Sequence, residues 1–212
     1  MFSGTLPHDA QDALAVLGKS GILGEAYLAG GTALALHLGH RISVDFDFFT
    51  AKKFDFEATR AKLEASGTYE SEREEDNTML GYFNQVRFSL FWYQYPLIER
   101  PEEWMGIKVA STADIAAMKL LAISTRATKK DYVDLYFLAK EAFGFEKMLE
   151  FYELKYSGKG NAPYYVIQAL QYFEDVDKSE MPEMIKSVSW EEVKEFLSQE
   201  TLRLAKTKFG LG

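Results

Sequence analysis

The stretch from Leu28 to Thr50, LAGGTALALHLGHRISVDFDFFT, constrains this chain more than any other. An apolar strand end runs into a Gly-Gly-Thr turn. A short helix follows, and then a strand carrying two aspartates two positions apart. Side chains alternate across a strand, so Asp45 and Asp47 are expected on one face, with Val44, Phe46 and Phe48 turned to a core. Two carboxylates on an otherwise apolar strand repel each other and lose hydration. A divalent cation with oxygen ligands is the compensation that fits such a pair. Gly30, Gly31 and Thr32, opening a helix, offer bare backbone N–H groups and the positive end of the helix dipole, which together suit phosphate. Each feature has a plainer reading. Acids often line the wet face of a strand, and any tight turn uses glycine. In close succession they are the equipment of a nucleotide-dependent transferase.

Bulk properties narrow the field. A chain of 212 residues suits one or two closely packed domains, and 47% hydrophobic residues are ample for a core. With no cysteine, disulfides, thiolate chemistry and cysteine-ligated zinc are excluded. Three scattered histidines do not make a histidine-rich metal site. A net charge of −8 argues against a generally basic nucleic-acid-binding surface, though not against a local basic groove. No apolar run approaches the roughly 20 residues of a membrane span. The opening MFSGTLPHDAQ lacks the regions of a signal peptide, so a cytoplasmic protein with no membrane association is expected.

The pattern predicts an α+β half to about residue 110 and a helical half after it. Pro7 to Leu17 reads as a helix broken by Gly18, Gly21 and Gly24. Ala26 to Ala29 is a short strand, Thr32 to Leu38 a helix ended by Gly39. Phe54 to Ala65 is an amphipathic helix with Phe54, Ala58, Ala61 and Leu63 on its buried side. The acidic run Glu70 to Asp76 suits a solvated strand or hairpin tip. Met79 to Phe83 and Val86 to Tyr93 read as paired strands turning near Asn84, and Ile107 to Val109 as one more. Helices are then expected from Ser111 or Thr112, with Ile115, Met118, Leu121 and Ala122 as the apolar stripe, and over Asp131 to Phe143, Phe145 to Tyr156, Ala162 to Phe173 and Trp190 to Lys206.

Lys119 and Arg126 lie seven residues apart on the first of these helices, within about 20° on its surface and about two turns apart. The link TRATKKD then brings Asp131 near Arg126. Two readings are open: two cations and an acid holding a polyphosphate, or a solvated helix edge with Asp131 as a cap. His37 and His40 lack a third ligand and suit packing or capping. The aromatic cluster at residues 88–95 suits sheet core better than a base-stacking platform. Asp114 is most simply a charge in the first turn of its helix.

Three blocks in this order, GGTALALHLGHRISVDFDFF, MKLLAISTR and KKDYVDLYFL, resemble the AbiEii/AbiGii toxin family. That family belongs to the polymerase-β-like nucleotidyltransferases. Its members are typically the toxin half of toxin–antitoxin or phage-abortive-infection pairs. The resemblance covers about residues 25–140. It implies a polymerase-β-like core with a mixed sheet over 1–110, and a helical domain over 111–212 that contributes Lys119, Arg126 and Asp131 to the site. It implies that Gly31 and Thr32, with Gly30 in the same turn, hold the phosphates of a nucleoside triphosphate. Asp45 and Asp47 would bind magnesium or manganese, Lys119 and Arg126 would contact the triphosphate, and Arg41 is a further phosphate contact. Asp131 would be the final acidic motif, with Asp134 the nearby substitute. The acceptor implied is an RNA end such as tRNA, or a protein side chain, and the implied partner is a cognate antitoxin.

One departure stands out. The superfamily usually adds a third carboxylate from a neighbouring strand, and VRFSLFWYQ has none; Ser89 occupies that place. Either Asp131 supplies the base or the metal site is weaker, so a catalytically weak or inactive nucleotide- or partner-binding protein on the same fold is the alternative. An Asp-nucleophile phosphatase would need a Thr or Val where Phe49 stands and an acidic pair later in the chain. A sugar transferase using Asp-x-Asp would need a fuller sheet upstream than 44 residues allow.

Overall fold

The protein is described from a computed structural model, which covers residues 1–75 and 77–210. Asp76, the last residue of the acidic run, lies outside the described residues. The chain divides into two compact units, 1–111 and 112–212.

In the first unit the elements run α1 (His8–Ser20), β1 (Tyr27–Ala29), α2 (Gly30–Leu38), β2 (Phe46–Thr50), α3 (Phe56–Ser66), β3 (Tyr69–Glu75), β4 (Thr78–Phe83), β5 (Val86–Trp92), β6 (Glu102–Trp104) and β7 (Ile107–Val109). The seven strands form one sheet in the order β3-β4-β5-β2-β1-β7-β6. It is mixed: β2 runs parallel to β5 and β1 parallel to β7, and the other neighbours are antiparallel. Phe46, Phe48, Phe88, Leu90, Met79 and Phe83 are all buried. They alternate with wetter positions along β2, β5 and β4, as one packed sheet face requires. The β4–β5 turn at Asn84 and Gln85 has φ 47° and 67°, the left-handed pair that a two-residue hairpin needs.

Several local expectations change. Gly18 does not break α1, which continues to Ser20 and ends at Gly21, in the left-handed conformation at φ 65°. Gly18 instead lies where α1 passes over the β6–β7 turn, and a Cβ there would overlap the Met105 carbonyl oxygen. Strand β6 was not foreseen, being only three residues long and largely polar. Val44 is not on the core side: it precedes β2 and is 42% exposed. In α3 only Leu63 is fully buried, and Ala58 and Ala61 face solvent. The side spaced at Phe56, Thr59, Arg60 and Leu63 is the inward one, since alanine methyls bury too little to set a helix's rotation.

The second unit is helical: α4 (Thr112–Arg126), α5 (Lys129–Glu141), α6 (Phe145–Tyr156), α7 (Pro163–Ala169) and α8 (Trp190–Phe209). Helix α4 packs against α5, α6 and α7, so it is enclosed on most sides. Ala113, Ile115, Ala116, Ala117, Leu120, Ala122 and Ile123 are buried, whereas Met118 and Leu121 of the expected stripe are only half-buried. Small alanines let its neighbours approach. Helix α7 is shorter than expected and stops at Ala169. At the start of α4, Asp114 is fully buried and accepts from Lys155 Nζ of α6 at 2.7 Å. Burial pushes the Lys155 ammonium below its ordinary value, against the pull of Asp114. Among the described residues no helix is long and apolar enough to cross a membrane.

Two outcomes follow. In an open helix Gly→Ala gains about 1 kcal/mol. Gly18→Ala should instead lose about 1–3 kcal/mol in urea unfolding, because the added methyl meets backbone. Lys155→Met should destabilise by about 3–5 kcal/mol by leaving the Asp114 charge buried without its lysine. Adding Asp114→Leu should recover most of that loss in the same assay.

Candidate active site

The glycine turn and the acid strand adjoin. β1 ends at Ala29 and α2 begins at Gly30, whose φ of 69° is readily reached only by glycine. Ala29 places no side-chain cap on α2. A Cβ on Gly30 would stand 3.0 Å from Asp47 Oδ2, so the Asp47 carboxylate lies against the opening of the helix. A Cβ on Gly31 would collide with the Arg41 guanidinium, with Ser43 Oγ 3.4 Å away. Both glycines are therefore required by close approach, and Gly30 by backbone conformation as well.

Thr32 fixes the two parts together. Its Oγ1 lies 2.6 Å from the Asp45 carbonyl oxygen and 3.0 Å from Ser43 Oγ, and the residue is buried. A hydroxyl has one proton, and the carbonyl can only accept. Thr32 therefore donates to Asp45 and accepts from Ser43. Its side chain is a brace within the protein, which the sequence reading of a phosphate contact did not foresee. Arg41 is also buried, donating from Nη1 to the Ile42 carbonyl at 3.1 Å. His37 Nε2 lies 2.8 Å from the Ala110 carbonyl oxygen and, donating to it, ties α2 to the end of β7, the packing role expected of it.

Asp47 sits in β2, paired with Ala29 on one side and Ser89 on the other. Asp45 stands just before the strand, and both acids are half-buried. Ser89 is thus in register beside Asp47, where a third carboxylate would have to come from. Among the described residues no three histidine, cysteine, aspartate or glutamate side chains gather as a metal cluster.

In the helical unit the expected basic edge separates into two unlike residues. Lys119 is buried, with Nζ 2.8 Å from Asp131 Oδ1 and 2.5 Å from Asp134 Oδ2. Asp131 also accepts from the Thr128 backbone N–H at 3.1 Å and hydroxyl at 2.7 Å, forming the capping box of α5. Burial pushes the Asp131 carboxyl up, but the Lys119 charge and hydrogen bond and those of Thr128 hold it below its ordinary value. Asp131 is thus paired with Lys119. Arg126 is exposed and, among the described residues, has no ion pair. It opens onto a cleft of about 820 Å³ formed by α4 and α7 with the residues after α7.

A sequence profile of the nucleotidyl transferase AbiEii toxin family, described with type IV toxin–antitoxin systems, matches residues 12–209. The chain belongs to this family. An uncharacterized protein of Aquifex aeolicus strain VF5 is 37% identical over 199 residues, spanning 92% of this chain and 95% of that one. The fold is similar to that of a candidate nucleotidyltransferase of H. pylori, with TM-score 0.61, 18% identity and 96% of each chain covered. It is similar also to the nucleotidyltransferase toxin MenT4 of Mycobacterium tuberculosis, with TM-score 0.60 and 15% identity over 96% of this chain and 87% of that one.

The Asp131 environment sets a pH dependence. Its folded-state proton affinity is below the unfolded one, so its contribution is present above about pH 4 and is lost as pH falls through the lower folded value. In urea unfolding at a series of pH values, Asp131→Asn should lower stability at neutral pH and flatten the decline below about pH 4.

Proposed function

We propose that this AbiEii-family toxin is a magnesium-dependent nucleotidyltransferase that moves a nucleotide from a nucleoside triphosphate to an RNA end or a protein side chain, and that a cognate antitoxin restrains it. The observation that carries this reading is the Asp47 carboxylate lying against the uncapped opening of α2. One place then offers backbone N–H groups that have no partner within the helix, for phosphate, and an acid for a cation. Magnesium takes one or two protein carboxylates and completes its shell with water and substrate phosphate, so Asp45 and Asp47 fit it without a third acid. When bound, it would supply charge neutralisation at the phosphates.

The remaining work falls to the chain. The N–H groups of Gly30, Gly31 and Thr32 orient the phosphates. Thr32 holds the Asp45 backbone in place through its hydroxyl. Arg126, exposed and, among the described residues, without an ion pair, is the residue of the helical unit that we assign to contacting the triphosphate. Lys119, between two carboxylates, has less charge to give a substrate, and we assign it with Asp131 to shaping that surface. In the reaction the acceptor oxygen bonds to the α-phosphorus, the α–β phosphoanhydride breaks and pyrophosphate leaves. The acceptor's proton passes to solvent water, since Asp131, with lowered proton affinity and both oxygens engaged, is a poor base.

The second reading, a nucleotide- or partner-binding protein with little turnover, is favoured by Ser89 in register with Asp47. Incubation with magnesium, labelled nucleoside triphosphates and total RNA separates the two. Transfer of label to RNA or protein, reduced at least about a hundredfold by Asp47→Ala, is the outcome expected of the transferase. Binding without transfer by the wild-type chain is the outcome of the weaker reading.

A further inference from the structure

The acid pair has two flanks, and the glycine turn takes one of them. On one side of β2 lies β1, with Ala29 opposite Asp47 and Gly30 following it. On the other side lies β5, with Ser89 in register with Asp47. Two positions back along β5, Arg87 is paired with Tyr82 of β4. Paired residues share a face, as do residues two apart on a strand. Asp47, Ser89, Arg87 and Tyr82 therefore stand on one face of the sheet, and Phe46, Phe88, Met79 and Phe83 fill the packed face opposite. The register of Phe46 with Phe88 brings Arg87 to the level at which Asp45 leads into β2. From Asp47 to Arg87 is one strand spacing across and two residues along, about 8 Å between their backbones.

Arg87 is open and loosely held. Its side chain is 45% exposed, and its ion pair with Glu72 of β3 is 3.5 Å long and as open to solvent, at 43%. A pair of that kind contributes little. The guanidinium lies 5.9 Å from the Tyr82 ring centroid, and Nη1 donates to the Tyr82 hydroxyl at 3.4 Å. Arg41, by contrast, is buried against Gly31. An arginine fork suits phosphate, and a tyrosine ring beside it offers a face to a nucleobase. The terminal nucleotide of an RNA carries a ribose hydroxyl, a phosphate one sugar away and a base. A serine, threonine or tyrosine of a protein brings a hydroxyl but no anion for Arg87. The edge strand β3 limits how much RNA fits: it carries Glu70, Glu72, Glu74 and Glu75. That is the reverse of the basic track a long strand calls for, and one cation suits one terminal nucleotide.

We propose that Arg87 and Tyr82 form the acceptor side of the site: Arg87 holds the phosphate of the terminal nucleotide of an RNA, Tyr82 takes its base, and the terminal ribose hydroxyl is thereby placed at the acid pair. The inference rests on the nucleotidyltransferase reading and names RNA as the acceptor. The terminal hydroxyl oxygen bonds to the α-phosphorus, the α–β phosphoanhydride breaks, pyrophosphate leaves and the hydroxyl proton passes to solvent water. The neutral Ser89 lies between Arg87 and the level of Phe91 on β5, beside Asp47, so no carboxylate of that strand repels the arriving phosphate. Glu72 competes with the phosphate for Arg87.

The test is steady-state label transfer by the full chain in magnesium, with labelled nucleoside triphosphates and total RNA varied separately. Arg87→Ala, a change at an exposed position, should raise the KM for RNA about tenfold or more and leave the KM for the nucleotide unmoved. It should also reduce the slope of log KM for RNA against log salt by about 0.7, the signature of one lost phosphate contact on a single strand. Arg87→Lys, which keeps the charge, should restore that slope. Tyr82→Ala should raise the KM for RNA and Tyr82→Phe should not. Glu72→Gln, which removes the competitor, should lower it. Periodate oxidation of the RNA, which destroys the terminal vicinal diol, should abolish transfer. A KM for RNA indifferent to Arg87→Ala, an equal rise in the KM for the nucleotide, or transfer that survives periodate would each overturn the acceptor assignment alone. Label on protein and none on RNA would overturn it in favour of a protein acceptor, with the transferase reading intact. No transfer to either by the wild-type chain would overturn both.

Discussion

The hydrogen bond from the Thr32 hydroxyl to the Asp45 carbonyl fastens the first turn of α2 to the segment that leads into β2. It is short, buried and directed by a hydroxyl that has only one proton to give. Ile42 to Asp45 lie outside any strand and Val44 faces solvent, so the segment is held by discrete bonds: the Ser43 N–H to the Thr5 carbonyl, Arg41 to the Ile42 carbonyl, and Thr32 to Ser43 and Asp45. Without this brace the loop's conformational freedom would reach the acids. With it, Asp45 has a fixed backbone and Asp47 enters the sheet between β1 and β5. Preorganisation of this kind matters most where charge must be met by dipoles already aimed at it. A neutral side chain is therefore one of the supports of the segment that carries Asp45.

The helical unit handles charge differently. Lysine is rarely buried without a partner, yet three lysines are buried here, each with an acceptor supplied. Lys155 meets Asp114, and Lys119 meets Asp131 and Asp134. Lys129 donates to the Asp177 and Ser179 carbonyls and lies 5.0 Å from the Trp190 ring centroid. Such pairs contribute little net stability against an apolar replacement but penalise any arrangement that separates them. They specify how α4, α5 and α6 meet. Arg126, by contrast, is exposed and, among the described residues, has no ion pair.

Much of this was legible in the chain. Alternating apolar residues from Met79 to Trp92 set strands β4 and β5, and the left-handed turn falls at Asn84, where the pattern breaks. The Gly-Gly-Thr and Asp-x-Asp blocks marked the family, and the mixed sheet followed by helices is the architecture it implies. What escaped reading had weak local signals. β6 has three residues and little hydrophobicity. Gly18 looked like a helix breaker because its reason, the Met105 carbonyl overhead, is remote in sequence. The partner of Asp114 is likewise remote, at Lys155.

Local chemistry written into the sequence was enough to determine element types, the glycine turn, the acid pair and the family, because dihedral preference and hydrophobic period act over a few residues. Only the tertiary structure decided which polar groups are spent inside the protein and which stay open to solvent. Thr32 and Lys119 looked available and are engaged, whereas Arg126 is open. That distinction depends on neighbours brought together from far along the chain, and burial is a property of those neighbours rather than of the residue.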